Sequence, residues 1–253
     1  RQNRGILYAE NIRLREFSLE SWFLPQRGIE MKEEEQRHRE LREELFQKIR
    51  GGVIGSCQAL KTEPLYSSYI MSRMAFAAQE GGAVGIRANT PEDIREIKKT
   101  VKLPIIGLYK VDYPDSEIYI TPTMKEVDAL MEVGPDMIAM DATDRLRPGG
   151  ASLEHFFSEV KKKYPKMLFM ADCSCYEDAK RAQELGFDVA GTTMRGYTKA
   201  TAGTAIPDYD MIHQMTHELS IPIIAEGGVW EVGQLQRIFR EPVLAAVIGT
   251  AIT

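Results

Sequence analysis

The stretch PIIGLYKVDY (104–113) runs from six residues that read as a buried strand into a lysine, Lys110. Burying an unpaired ammonium group is costly. Lys110 is therefore either the first solvated residue past a strand or a group placed for chemistry. A strand-end lysine can take a proton when it is neutral, or attack a carbonyl. The same kind of ending recurs along the chain. Arg87, Asp141, Asp172 and Glu226 each close a short apolar run, and Ser56 and Gln58 close another. Side chains alternate between the two faces of a strand. Lys110 then shares a face with Ile106 and Leu108, Asp172 with Leu168 and Met170, and Glu226 with Ile224. Arg87 falls in step with Gly85, and Gln58 with Ile54 and Ser56. A lone polar residue at a strand end is usually just solvated. Six such ends, each with different chemistry, read together as one functional mouth. Glycines follow two of the runs, in EGGV (226–229) and IGTAIT (248–253). Glycine leaves backbone N–H groups accessible, so these loops could hold a phosphate, although Gly-Gly is also a common turn.

The elements that must position these groups form a regular series. Apolar runs fall at 53–59, 83–89, 104–110, 137–143, 168–174, 188–194, 222–228 and 244–250. Amphipathic helical segments such as PEDIREIKKTV and YEDAKRAQELG lie between them. TPED (90–93) is a helix start, with Thr90 as cap, Pro91 first in the helix and acids in the first turn. Strands alternating with helices predict parallel βαβ units. A doubly wound sheet is the competing architecture, but a count of eight favours a closed (β/α)₈ TIM barrel, whose active sites sit at the C-terminal ends of the strands. Loops after strands seven and eight of such barrels often bind phosphate. The sequence stops at Thr253, just after the eighth strand, so the expected α/β barrel (51–253) lacks its eighth helix. An N-terminal helix is expected over 31–50, with Leu41, Leu45, Phe46 and Ile49 as its apolar stripe and Gly51-Gly52 as its stop. Residues 1–30 show no sustained periodicity and are expected to be a loosely attached extension, with Met31 a candidate natural start.

Composition narrows the function classes. Of 253 residues 43% are hydrophobic, which is enough for a sizeable core. The net charge of -5 and the lack of a basic run argue against nucleic acid as the main partner. Cys57, Cys173 and Cys175 form neither a disulfide framework nor a zinc set. No apolar run approaches the ~20 residues of a membrane span, and no secretory pattern opens the chain, so the expected location is the cytoplasm. The four histidines, His38, His155, His213 and His217, fall in predicted helices rather than at strand ends. That argues against a metal-dependent reaction at the barrel mouth. His213 and His217 lie four apart with no nearby acidic motif and read as surface or packing residues.

The residues resemble a known family in order and over nearly all of 51–253. The matching text is SCQAL (56–60), PLYSSYIM (64–71), GIRAN (85–89), IGLYKVDY (106–113), ITPTMKEVD (120–128), DATDRLRPGG (141–150), MADCS (170–174), GTTMRGYT (191–198), IPIIAEGG (221–228) and VIGTAIT (247–253). The chain is similar to the bacterial N-acetylmannosamine-6-phosphate 2-epimerases. The resemblance implies a barrel that interconverts N-acetylmannosamine 6-phosphate and N-acetylglucosamine 6-phosphate in sialic acid breakdown, without metal or organic cofactor. It implies that Lys110 is the catalytic lysine and Glu226 its acidic partner. It implies substrate contacts at Gln58, Arg87 and Asp172, and phosphate loops at Gly227, Gly228 and Gly249, with Thr250 beside them. Asp141 is a further candidate for the substrate.

The chemistry asks for such groups. Opening the sugar ring exposes the C1 aldehyde, and loss of the C2 proton then gives an enolate. A base must take that proton, and a proton must return on the opposite face. A lysine serves as base only when neutral, and its reference pKa is about 10.4. Partial burial and a nearby Arg87 would both lower it. Glu226 could assist ring opening or act as the partner acid or base. Two departures from the family pattern stand out. Family members continue past GTAIT with Arg-Pro and a last helix, the Arg contacting the phosphate and the helix packing at a homodimer interface. A protein ending at Thr253 is expected to bind phosphate weakly and to be poorly stable. Arg195 stands where a smaller residue is expected, either contacting the substrate or merely exposed. Two rival readings are a Schiff-base aldolase using Lys110 and an inactive sugar-phosphate-binding barrel.

Overall fold

The computed structural model describes residues 20–252, with side chains from residue 33 onward. Eight parallel strands close into a barrel in sequence order, and the eighth pairs with the first. They are β1 (Val53–Cys57), β2 (Gly85–Asn89), β3 (Ile105–Leu108), β4 (Met137–Asp141), β5 (Leu168–Asp172), β6 (Val189–Gly191), β7 (Ile223–Glu226) and β8 (Ala245–Ile248). Seven helices make the crossovers: α2 (Ser68–Glu80), α3 (Pro91–Thr100), α4 (Met124–Val133), α5 (Leu153–Lys163), α6 (Tyr176–Leu185), α7 (Tyr209–Glu218) and α8 (Val232–Ile238). Among the described residues β8 is followed by a turn, closed by Ile252 N–H donating to the Gly249 carbonyl, and by no helix.

The remaining helix, α1 (Glu20–Ile49), precedes the barrel and closes its bottom. Leu45, Phe46 and Ile49 are buried in the same apolar cluster as the barrel's inward-facing residues Ile54, Ile106, Met137 and Leu168. His38 Nε2 lies 3.2 Å from Asp188 Oδ1, just before β6. Within the described residues this helix already runs from Glu20, ahead of the expected start at Met31. Residues 20–30 carry no sustained apolar period, and Pro25 and Gly28 are poor helix formers, so the sequence pattern marks only the later part. The expectation of a loose extension over 1–30 falls, for residues 1–19, outside the described residues.

The period-2 reading of the strands holds inside the barrel. Ile106 and Leu108, Met137 and Ala139, Leu168 and Met170, and Ile224 all face inward. The outward residues, such as Ile86, Ile138, Phe169 and Ile223, pack under the helices with Ile94, Leu130 and Phe157. The apolar filling occupies the lower part of the barrel. One step further along the same faces come Arg87, Asp141, Asp172 and Glu226, so the polar strand ends gather at the C-terminal mouth. The predicted cap at Thr90 is present: its hydroxyl accepts from the Asp93 N–H at 3.2 Å, with Pro91 opening α3.

Candidate active site

The mouth opens into a cavity of about 430 Å³ whose lining includes Gln58, Arg87, Lys110, Glu226 and the glycines of the last two loops. Lys110 is held there by its backbone. Beyond β3 the chain turns and returns alongside itself, so that Lys110 pairs with Ile120 in an antiparallel bridge. The Lys110 N–H donates to Asn89 Oδ1 at 2.8 Å, and the flanking Tyr109 N–H donates to Thr121 Oγ1 at 3.2 Å. The side chain is left free to point at the cavity. Among the described residues no carboxylate lies within ion-pair distance of Lys110 Nζ. Burial lowers its pKa, and the Arg87 guanidinium lowers it further, against the pull of Glu226 and Asp172.

Glu226 faces the same cavity from the end of β7. Its backbone is clamped by Thr192, whose hydroxyl accepts from the Glu226 N–H at 2.9 Å and donates to the Glu226 carbonyl at 2.8 Å. Burial raises the Glu226 pKa, with Arg87 opposing and Asp172 reinforcing; a Thr193 hydroxyl that donates to Glu226 would oppose as well, so its sign turns on which group donates. Arg87 is itself enclosed. Its Nη2 donates to Asp172 Oδ2 at 2.6 Å, and its Nη1 lies 3.4 Å from Glu226 Oε2. Burial alone would lower the guanidinium pKa, but the two carboxylates outweigh it and the group stays charged. Arg87 Nε and Gln58 Oε1 are buried without a hydrogen-bond partner, which leaves polar capacity for a ligand. Gln58 Nε2 donates to Ser56 Oγ at 2.9 Å.

Gly227 and Gly228 follow Glu226 with φ of 106° and 71°, a backbone region that disfavours side chains. Among the described residues nothing accepts from their N–H groups, and both line the cavity beside Gly249 and Thr250. That is a backbone surface suited to an anion.

Three candidates are not brought to the cavity. Asp172 lies behind its wall with 0% of its side chain exposed, its oxygens taken by Arg87 Nη2 at 2.6 Å and Thr193 Oγ1 at 2.6 Å, so it positions Arg87 rather than meeting the substrate. Asp141 is fully buried, with Thr143 N–H and Oγ1 on its Oδ1 at 3.0 and 2.7 Å and Arg145 Nη2 on its Oδ2 at 2.6 Å. Its strand parity is as read, but its acceptors are occupied by the loop after β4. Arg195 turns away to Asp208, with Nε and Nη2 at 2.9 and 2.7 Å from Oδ2, and to the Ser174 carbonyl at 3.3 Å. It is neither a cavity contact nor merely exposed; it ties the loop after β6 to the start of α7. His213 and His217 are exposed, as read, but an acid is near them in space: Glu241 Oε2 lies 3.0 and 3.5 Å from their Nδ1 atoms.

The family described as "Putative N-acetylmannosamine-6-phosphate epimerase" matches residues 71–253. The chain belongs to this family. A relative from Caldanaerobacter subterraneus subsp. tengcongensis, named "Putative N-acetylmannosamine-6-phosphate 2-epimerase", is 48% identical over 210 residues, covering 83% of this chain and 89% of the relative. One of the same name from Listeria innocua is 47% identical over 211 residues, covering 83% and 91%. The solved N-acetylmannosamine-6-phosphate 2-epimerase from Clostridium perfringens superposes with a TM-score of 0.79 at 44% identity, over 83% of this chain and 90% of that one. A thiamine phosphate pyrophosphorylase from Pyrococcus furiosus, at 15% identity and a TM-score of 0.57, shares the fold alone.

Within this epimerase-family barrel the cavity has lining residues that the sequence reading missed. Thr193 continues the inward parity of Val189 and Gly191, so the period used for the other strands would have found it. Tyr119 enters from the returning ribbon after β3, and burial pushes its hydroxyl up to about 12. Leu60, Leu65, Tyr197 and Trp230 form an exposed apolar rim. These come from loops, where no periodicity marks the inward side.

Proposed function

We propose that this protein interconverts N-acetylmannosamine 6-phosphate and N-acetylglucosamine 6-phosphate, using Lys110 as base and Glu226 as acid. One observation carries the reading. Lys110 and Glu226 line a single cavity, and their surroundings push a lysine down and a carboxyl up. Groups displaced in this way are suited to act as base and acid near neutral pH.

In the proposed reaction the open-chain sugar lies with C2 between the two groups. The neutral Lys110 amine takes the C2 proton, and the electron pair of that bond moves onto the C1 oxygen as an enolate. The Arg87 guanidinium stabilises the developing charge, and Asp172 fixes Arg87 in place. The carboxyl of Glu226 gives a proton to the opposite face of C2. Lys110 ends protonated and Glu226 ionised, ready for the reverse direction. Gln58 takes a sugar hydroxyl or the acetamido group. The N–H groups of Gly227 and Gly228, with Gly249 and Thr250, take the phosphate.

The same reading puts the enzyme in the cytoplasm, in amino-sugar catabolism, and as a homodimer where a helix follows β8. Free thiols at Cys57, Cys173 and Cys175 support a reducing compartment. The test is direct: purified protein is given each sugar phosphate separately and the mixture is followed by NMR. Both starting points reaching one common ratio of the two epimers is the expected result. Binding of either sugar phosphate without interconversion would reject the proposal.

A further inference from the structure

The Thr193 hydroxyl oxygen sits between two carboxylates, 2.6 Å from Asp172 Oδ1 and 3.0 Å from Glu226 Oε2. A hydroxyl has one hydrogen to donate and lone pairs with which to accept. It can satisfy both neighbours only when one of them is protonated. With both ionised, one contact would set a lone pair against an anionic oxygen, beside an Asp172 that is shut away from water.

Arg87 decides which carboxylate keeps its charge. Its Nη2 donates to Asp172 Oδ2 at 2.6 Å. Its Nη1 is 3.4 Å from Glu226 Oε2 and is also directed at Met170 Sδ. Asp172 has 0% of its side chain exposed and Glu226 has 15%, so the anion with the closer cation is also the one shut away from the cavity. The consistent arrangement is a chain. A protonated Glu226 donates to Thr193 Oγ1, Thr193 donates to Asp172, and Asp172 accepts from Arg87.

We propose that Thr193 is a positioning residue for the epimerisation, accepting a hydrogen bond from the Glu226 carboxyl and so holding Glu226 in its acid form until C2 takes the proton. This rests on the function proposed above. A neutral hydroxyl is a weak acceptor, so a basic C2 competes successfully for that proton. When Glu226 has given it up, Lys110 carries the proton removed from C2, and the net charge of the site is unchanged.

The experiment combines an infrared titration of the ligand-free protein with steady-state kinetics. Glu226→Gln assigns the Glu226 carboxyl band. In the wild type at neutral pH that band is expected to be that of a protonated carboxyl; an ionised Glu226 would overturn the proposal without any Thr193 variant. Thr193→Val removes the hydroxyl and keeps the shape. It is expected to lower the Glu226 pKa by about one unit or more, because the neutral form loses its acceptor. It is also expected to cut kcat on the order of ten- to hundredfold with KM little changed, and Thr193→Ser is expected to restore both. A pKa that rises or stays put in Thr193→Val would overturn the proposal, since a hydroxyl that donates to an ionised Glu226 predicts the opposite sign. The infrared readout needs no substrate, so it stands apart from the epimerase reading. A wild type that interconverts the two sugars with Glu226 ionised would overturn this inference alone.

Discussion

Arg87 and Asp172 meet at 2.6 Å with 1% and 0% of their side chains exposed, joining the middle of β2 to the end of β5 inside the barrel. Asp172 has no other cation at close range among the described residues, and Glu226, the second carboxylate beside Arg87, stands farther off at 3.4 Å. Removing one partner of such a pair costs about 3–5 kcal/mol, because the other is left buried and uncompensated. Arg87→Met and Asp172→Leu are each expected to lose that much in urea denaturation. The double variant is expected to be more stable than either single one, and all three to be inactive. Single variants as stable as the wild type would show that water already reaches the pair.

The pH dependence of activity follows from Lys110. Its pKa is lowered, first by burial and then by Arg87, so the neutral amine exists at lower pH than in an ordinary lysine. The acid limb of kcat/KM is expected to rise as Lys110 loses its proton. Stability carries the same sign. Between the folded pKa and the usual lysine value the unfolded chain binds the extra proton, so stability rises with pH through that window. Lys110→Met is expected to flatten this rise in denaturation measured across pH. An unchanged slope would mean that Lys110 is not desolvated in solution.

The glycine pair after β7 gives a steric prediction. A Cβ on Gly228 would lie 2.6 Å from the carbonyl carbon and oxygen of Ile206, whereas one on Gly227 meets nothing within 4 Å. Gly228→Ala must therefore displace one of two backbone segments. Displacements of about 1 Å at a binding loop can cost on the order of a hundredfold. KM for the sugar phosphate is expected to rise tenfold or more by that measure, roughly, and inhibition by inorganic phosphate to weaken with it. Gly227→Ala is expected to do less, since its penalty is conformational only. Equal effects of the two would place the phosphate elsewhere.

The bottom of the barrel should separate stability from activity. Phe46 is buried by α1 among the inward residues of the barrel, at the end opposite the cavity. Phe46→Ala is expected to cost about 3–5 kcal/mol in denaturation. KM and kcat at low temperature are expected to remain near wild type. A large change in kcat without loss of stability would mean that α1 acts on the site.

Much of this arrangement was legible in the sequence because a barrel strand obeys a strict period of two. Lys110, Arg87, Asp172 and Glu226 follow their apolar predecessors on one face, so the polar mouth can be read without seeing the barrel close. Asp141 shows where that reasoning stops. Its face is right, but whether a strand-end carboxylate meets a ligand depends on the loop beside it, and here Thr143 and Arg145 occupy it. Arg195 and Tyr119 are misread or missed for the same reason, since both stand on irregular chain whose direction is set by tertiary contacts. The part of α1 before Met31 was hidden because residues 20–30 carry no sustained apolar period.

If Lys110 takes the C2 proton, deuterium incorporation at C2 of either amino-sugar phosphate in heavy water must depend on it, and the comparison is the wild type beside Lys110→Ala. Deuterium is expected at C2 in both epimers with the wild type. With Lys110→Ala the exchange is expected to be slower by on the order of a hundredfold or more. Exchange at the wild-type rate in a folded Lys110→Ala protein would contradict that role.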